Sequence, residues 1–221
     1  MLWMLVIISA VLVVGIIIIN SLGKQTRSQF LKDLETFLDG KLEPMDDKSN
    51  GYKITFSIEG MNMVFEDVPE VGFESEAFRG ILRAPLGFKY ALNFTEKEKR
   101  KTMGSSMVTI SDKPTDAVQD RISIKLPEPL NMFNVFTDDS WLTNKIILDK
   151  QCLELFVKYK NTDVTGYPIM PLRIINGEVL LDFHSSGSLK PSMDEIRADK
   201  AKMDNYVDEI SRFVQRIRGM K

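Results

Sequence analysis

Cysteine and histidine are nearly missing: Cys152 and His184 are the single members of their kinds. One cysteine excludes an intrachain disulfide framework, and one cysteine with one histidine excludes the usual zinc-ligand spacings. No glycine-rich phosphate loop is present, and no cofactor is expected. An excess of either charge is also lacking. The 29 basic and 31 acidic residues leave a net charge of −2, without the basic surplus of a nucleic-acid binder. No nucleic-acid partner is therefore expected. Internal repeats and low-complexity tracts are absent too.

What is present first is apolar length. Residues 2–19 read LWMLVIISAVLVVGIIII, with no charge and one polar side chain, Ser9. As a helix the run spans roughly 27 Å, close to the hydrocarbon thickness of a bilayer. In lipid its backbone satisfies itself as a helix, so the β-branched residues are no obstacle. A cleaved signal peptide needs a basic start, a shorter core and a small-residue exit, and the sequence offers none of these. Residues 2–19 are thus expected to cross the lipid bilayer once. Lys24, Arg27 and Lys32 follow the run and nothing basic precedes it, which predicts a cell-membrane protein with a cytoplasmic C-terminal part. In that compartment the triplet Asn93-Phe94-Thr95 carries no meaning as a glycosylation sequon.

About 200 residues remain, enough for one compact domain. Segment 24–39 reads as an amphipathic helix, with Phe30, Leu31, Leu34, Phe37 and Leu38 at helical spacing and Gly40 as its stop. Its two readings are a helix lying on the membrane surface and a helix docked on the globular domain. Segment 42–50 reads as a polar linker. Alternation of Tyr52, Ile54, Phe56 and Ile58 predicts a strand, and Glu59-Gly60-Met61-Asn62 turns it into a second at 63–68. Further strands are expected at 78–83, 88–94, 107–110, 122–126 and 133–136. Asn176-Gly177, between apolar runs 172–175 and 178–183, predicts a hairpin because both residues tolerate φ > 0.

Two long helices are expected. One runs over 140–160, capped by Asp138 or Asp139, with Leu142, Ile146, Leu153, Phe156 and Tyr159 buried. The other runs from about Pro191 to Arg218. Along it, Ile196, Met203, Tyr206, Ile210, Phe213 and Ile217 form one stripe at heptad-like spacing, interrupted at its start by Asp199. The stripe is either a seam with a protein partner or second copy, or the face that packs on the chain's own domain.

Chemistry-bearing candidates are few. Cys152 lies within an amphipathic helix and reads as a small buried hydrophobe. His184, before Ser185-Ser186-Gly187-Ser188, suits a solvated loop better than a hydrolase site. Asp138-Asp139 suits capping better than metal binding. Lys97, Lys99, Arg100 and Lys101 make a basic cluster diluted by glutamates. With Lys24, Arg27 and Lys32 it is the candidate contact with anionic lipid.

Phe133-Asn134-Val135-Phe136-Thr137-Asp138-Asp139, a following helix with Leu148 and Leu153, and the hairpin from 171 to Phe183 carry a family resemblance, with Phe78-Arg79-Gly80 upstream. The pattern resembles an uncharacterised bacterial family of membrane-anchored domains of unknown function. There a strand ending in an F-x-V-x-(S/T)-x-D-like run leads into a helix and a terminal hairpin. The resemblance implies an α+β domain facing the cytoplasm and brings no catalytic residue.

The resulting expectation is an α+β chain: an N-terminal transmembrane helix, a mainly antiparallel sheet domain with packed helices, and a long C-terminal helix. Its divisions are 1–22 (anchor), 23–50 (juxtamembrane helix and linker), 51–190 (globular domain) and 191–221 (C-terminal helix). The expected role is a non-enzymatic interaction or scaffold module. The alternatives are a membrane-tethered hydrolase or transferase with an unrecognised site, and an anionic-lipid-binding module.

Overall fold

The computed structural model describes residues 27–45, 50–69, 78–96, 121–122, 124, 126–163, 166–184 and 189–221. The run 2–19, the strand expected at 107–110, and Lys24, Lys97, Lys99, Arg100 and Lys101 lie outside them. Among the described residues no helix is long and apolar enough to cross a membrane.

The fold is α+β. Nine strands form one antiparallel sheet among the described residues, in the order β1-β2-β3-β4-β11-β10-β5-β7-β6. They are β1 (Lys41–Pro44), β2 (Tyr52–Ile58), β3 (Met61–Pro69), β4 (Phe78–Pro85), β5 (Leu92–Glu96), β6 (Arg121–Ile122), β7 (Phe133–Thr137), β10 (Leu172–Ile175) and β11 (Glu178–Phe183). Two short strands, β8 (Asn161–Thr162) and β9 (Pro168–Ile169), pair separately. The helices are α1 (Arg27–Phe37), α2 (Ser140–Leu148), α3 (Lys150–Tyr159), α4 (Met193–Ala198) and α5 (Ala201–Arg218).

The Asn176-Gly177 hairpin forms as expected, with φ of 52° and 83°. It inserts between β4 and β5, so a late, local hairpin becomes the middle of the sheet. Glu59-Gly60 makes the other tight turn, φ 50° and 77°, joining β2 to β3. One sheet face is apolar. Met63, Phe65, Leu82, Leu181, Phe183, Ile174, Leu92 and Val135 line it and share one core with α1 to α5. Edge-on ring contacts run through this core: Phe65–Phe183 at 5.9 Å between β3 and β11, Phe183–Tyr206 at 5.1 Å between β11 and α5, and Phe156–Phe213 at 5.5 Å between α3 and α5. Gly80 permits α4 to approach the sheet closely, because a Cβ there would lie 2.6 Å from Met193 Sδ. The opposite face carries charge pairs, Arg83 with Glu66 (2.8 Å) and Arg173 with Asp182 (2.9 Å). Between them in the register sit the buried Ile81 and Leu180.

Several expectations need correction. Segment 42–50 is not all linker, because residues 41–44 form β1 on the sheet edge, where Leu42 opposes Ile54. The expected 140–160 helix is two helices. Asp149 adopts extended ψ (121°), and its carboxylate accepts from Gln151 N and Cys152 N to start α3. The expected 191–218 helix is likewise divided. Asp199 is extended (φ −148°, ψ 101°), and α4 begins at Met193 with Ser192 as its cap. The strand expected at 88–94 starts at Leu92, because the Ala91 N–H is taken by Asp138 Oδ1 and the Tyr90 carbonyl by Gly177 N. Of the strand expected at 122–126, only Ile122 is paired among the described residues, as the end of β6. Phe37, expected on the buried face of α1, is exposed.

Candidate functional site

The C-terminal stripe lies within the chain's own core. Ile196, Met203, Ile210, Phe213 and Ile217 are buried, and Tyr206 is partly buried, donating to Glu195 Oε2 at 2.9 Å. The helix break at Asp199 leaves Ile196 on α4 and the other five on α5, yet the stripe stays continuous against the sheet. Each fully buried aliphatic side chain contributes about 1.5–3 kcal/mol.

Arg27, the first residue of α1, is committed to the protein. Its Nε donates to Asp67 Oδ2 at 2.5 Å, its Nη2 to the Asn50 carbonyl at 2.9 Å, and its guanidinium lies over the Tyr52 ring. Asp67 is 0% exposed. Burial pushes its carboxyl above the usual carboxylate range, against the downward pull of Arg27 and Arg197. Phe30, Leu31 and Leu34 of the same helix are fully buried, so α1 is docked on the domain. Lys32 remains exposed on its outer side.

A charged groove lies between α3 and α5. It encloses about 470 Å³, with Cys152, Leu155 and Phe213 below and Glu154, Lys158, Glu209, Arg212 and Arg216 at its sides. Asp149 holds Arg216 at one end. It caps α3, its own N–H bonds the Lys145 carbonyl to end α2, and its Oδ1 accepts from Arg216 Nε at 2.6 Å. Arg216 holds the Asp149 carboxyl down at about 2, well below the ordinary value. At the other end Glu209 accepts from Lys158 and from Tyr159 Oη (2.6 Å). Burial, then the Asp149 charge, pushes the Cys152 thiol up to about 12. That thiol is protonated at neutral pH and is no nucleophile. The groove's charges are matched to one another, which suits holding helices together and not polarising a substrate.

The remaining candidates have structural employment. Asp139 caps α2 by accepting from Leu142 N at 2.9 Å, and Asp138 accepts from Ala91 N at 2.8 Å. Thr143 bonds Tyr90 Oη (2.7 Å) and Thr137 (2.8 Å) in a buried hydroxyl network. His184 follows β11, where its N–H bonds the Pro191 carbonyl at 2.9 Å, and residues 185–188 lie outside the described set. Among the described residues, no three His, Cys, Asp or Glu side chains gather as metal ligands would.

Sequence reasoning missed Asp67, Asp149 and the outer side of α2. The first two act through partners 40 and 67 residues distant, and no local pattern announces such pairs. On α2, Trp141 and Leu148 fall off the expected buried stripe, and that was a usable signal for exposure.

No family model, curated protein or solved structure matches the chain.

Proposed function

We propose that the chain is a single-pass, membrane-tethered interaction module, non-enzymatic, with its α+β domain in the cytoplasm. The apolar run 2–19 and the basic residues after it support the tether and its direction. The observation that carries the reading is the junction behind that run. Arg27 enters α1 fixed to the buried Asp67, and three apolar residues of α1 sit in the core. Only seven residues, 20–26, therefore separate the apolar run from the folded domain, which is close enough to hold its surfaces beside the membrane, as a tethered scaffold requires.

Fractionation of cells expressing the full chain tests this. The chain should sediment with membranes and resist alkaline carbonate, and a tag after Lys221 should be digested only once the membrane is opened. Leu12→Arg with Val13→Arg should release the chain to the soluble fraction. A wild-type chain that is already soluble, or a tag digested on intact cells, would defeat the proposal.

A further inference from the structure

The side of α2 that faces away from the core carries a second feature. Trp141 is 57% exposed and Leu148 84% exposed. With Lys145 they stand at i, i+4 and i+7, one face of the helix. Lys145 Nζ lies 3.6 Å from the centre of the Trp141 ring and donates to the Met220 carbonyl at 3.0 Å. Lys221 Nζ stands 4.0 Å from the Phe88 ring, and Arg218 Nη2 donates to the Pro85 carbonyl at 2.8 Å. These contacts join α2, the end of α5 and the loop after β4 into one surface. Lys145 stands directly on the exposed Trp141, and Lys221 and Arg218 lie on the same surface. Among the described residues, neither Lys145 nor Lys221 has a carboxylate partner, and the nearby Asp138 and Asp139 are turned to backbone N–H groups.

We infer that this surface docks an acidic segment of a partner protein, one with apolar side chains between its carboxylates. An exposed tryptophan with an exposed leucine is the composition of a binding hot spot, and the cations set the sign of what approaches. A second copy of this chain fits poorly, because a two-fold interface would bring like charges together. A membrane fits poorly for a reason that rests on the tethered reading. Arg27 joins the domain at Asp67, opposite Gly80, at one end of β4. The docking surface adjoins Pro85 and Phe88 at the other end, roughly 17 Å away along the strand. The point where α1 is held and the docking surface thus lie at opposite ends of β4.

Trp3 and Trp141 are the two tryptophans, so Trp3→Phe in the full chain makes Trp141 the sole indole reporter. The chain, held in detergent, is titrated with a synthetic peptide alternating glutamate with leucine and phenylalanine. The expected result is a saturable blue shift of Trp141 emission, weakened by salt. Lys145→Glu or Leu148→Ser should weaken it about tenfold, as for a central contact. Both positions are exposed, and unchanged thermal unfolding shows that these variants fold. No shift with the peptide, an equal shift with a lysine-for-glutamate peptide, or a shift produced by phosphatidylserine vesicles and not by the peptide would overturn the inference. So would concentration-dependent dimerisation that Leu148→Ser abolishes. The titration needs no bilayer. A chain that binds the peptide but fractionates as soluble therefore keeps the docking surface and loses the tether.

Discussion

Asp67 and Asp149 each hold an arginine that belongs to a helix, yet their surroundings shift them in opposite directions. Asp67 is fully buried under α1, and burial drives its carboxyl upward despite Arg27. Asp149 sits at a partly open helix junction, and Arg216 with two backbone N–H groups drives its carboxyl down to about 2. The same pair of residue types is thus an obligation in the first place and an asset in the second. Desolvation decides which, since removing a carboxylate from water can outweigh its attraction to a guanidinium.

The sharpest way to break the comparison is to remove the arginines. Arg27→Met leaves the buried Asp67 charge alone and should destabilise the domain by about 3–5 kcal/mol at pH 7. The deficit should shrink on acidification, as a proton replaces the lost arginine. Adding Asp67→Leu should recover most of the loss. Urea unfolding at pH 7 and pH 5 measures both effects, and a loss below about 1 kcal/mol would mean that Asp67 is hydrated.

Next in size is Asp149→Ala, expected to cost about 1–2 kcal/mol because it removes the cap of α3 together with the Arg216 contact. Asp149→Ser should return the capping share and not the Arg216 share. If alanine and serine behave alike, the cap contributes nothing there.

The two aspartates also predict opposite pH trends. Asp149 has a folded value below the ordinary 3.8, so its stabilisation is present above 3.8 and is lost as pH falls toward 2. Screening at this partly open site holds the effect to about 1 kcal/mol. Asp67 has a raised folded value, so its ionised form opposes folding, and stability rises as pH falls through that value toward 3.8. Asp67→Asn should therefore flatten the rise on acidification, and Asp149→Asn should flatten the fall at lower pH. Unfolding midpoints measured between pH 2.5 and 7 separate them, and a common sign for both variants would refute the assignment.

The contrast also marks how far the sequence could be read. Turn chemistry was legible wherever backbone geometry demanded it: Asn176-Gly177 and Glu59-Gly60 both turn with positive φ. So was burial set by periodicity, since the stripe from Ile196 to Ile217 lies in the core. The helix break at Asp149 escaped notice, and Asp199 read as an interruption of the stripe and not of the helix, for one physical reason. A single extended residue with a capping carboxylate restarts the helix while barely disturbing the 3.6-residue spacing, so the apolar pattern runs on across it. An aspartate followed by free N–H groups was the signal to weigh. Strand β1 escaped because its four residues gain their order from β2 and not from their own pattern. The site was less legible than the fold, because Arg27–Asp67 and Arg216–Asp149 exist only once distant segments meet.

The smallest expected effect sharpens the same point within α5. Arg212 and Arg216 are one turn apart on this helix, and alanine changes its intrinsic propensity little at either position. Arg212 reaches Asp208 in its own helix, and both side chains are well exposed. Arg216 crosses to Asp149 at the junction of α2 and α3. An exposed i,i+4 pair contributes about 0.3–0.5 kcal/mol, whereas a two-toothed contact to a carboxylate that also caps a helix is the stronger kind. Arg212→Ala should thus move the urea midpoint barely beyond error and lose even that in high salt. Arg216→Ala should move it two to three times as far and weaken the low-pH loss described for Asp149. Equal shifts for the two variants would show that the Asp149 contact acts as an ordinary surface pair. The contrast between a buried and an open aspartate would then reduce to Asp67 alone.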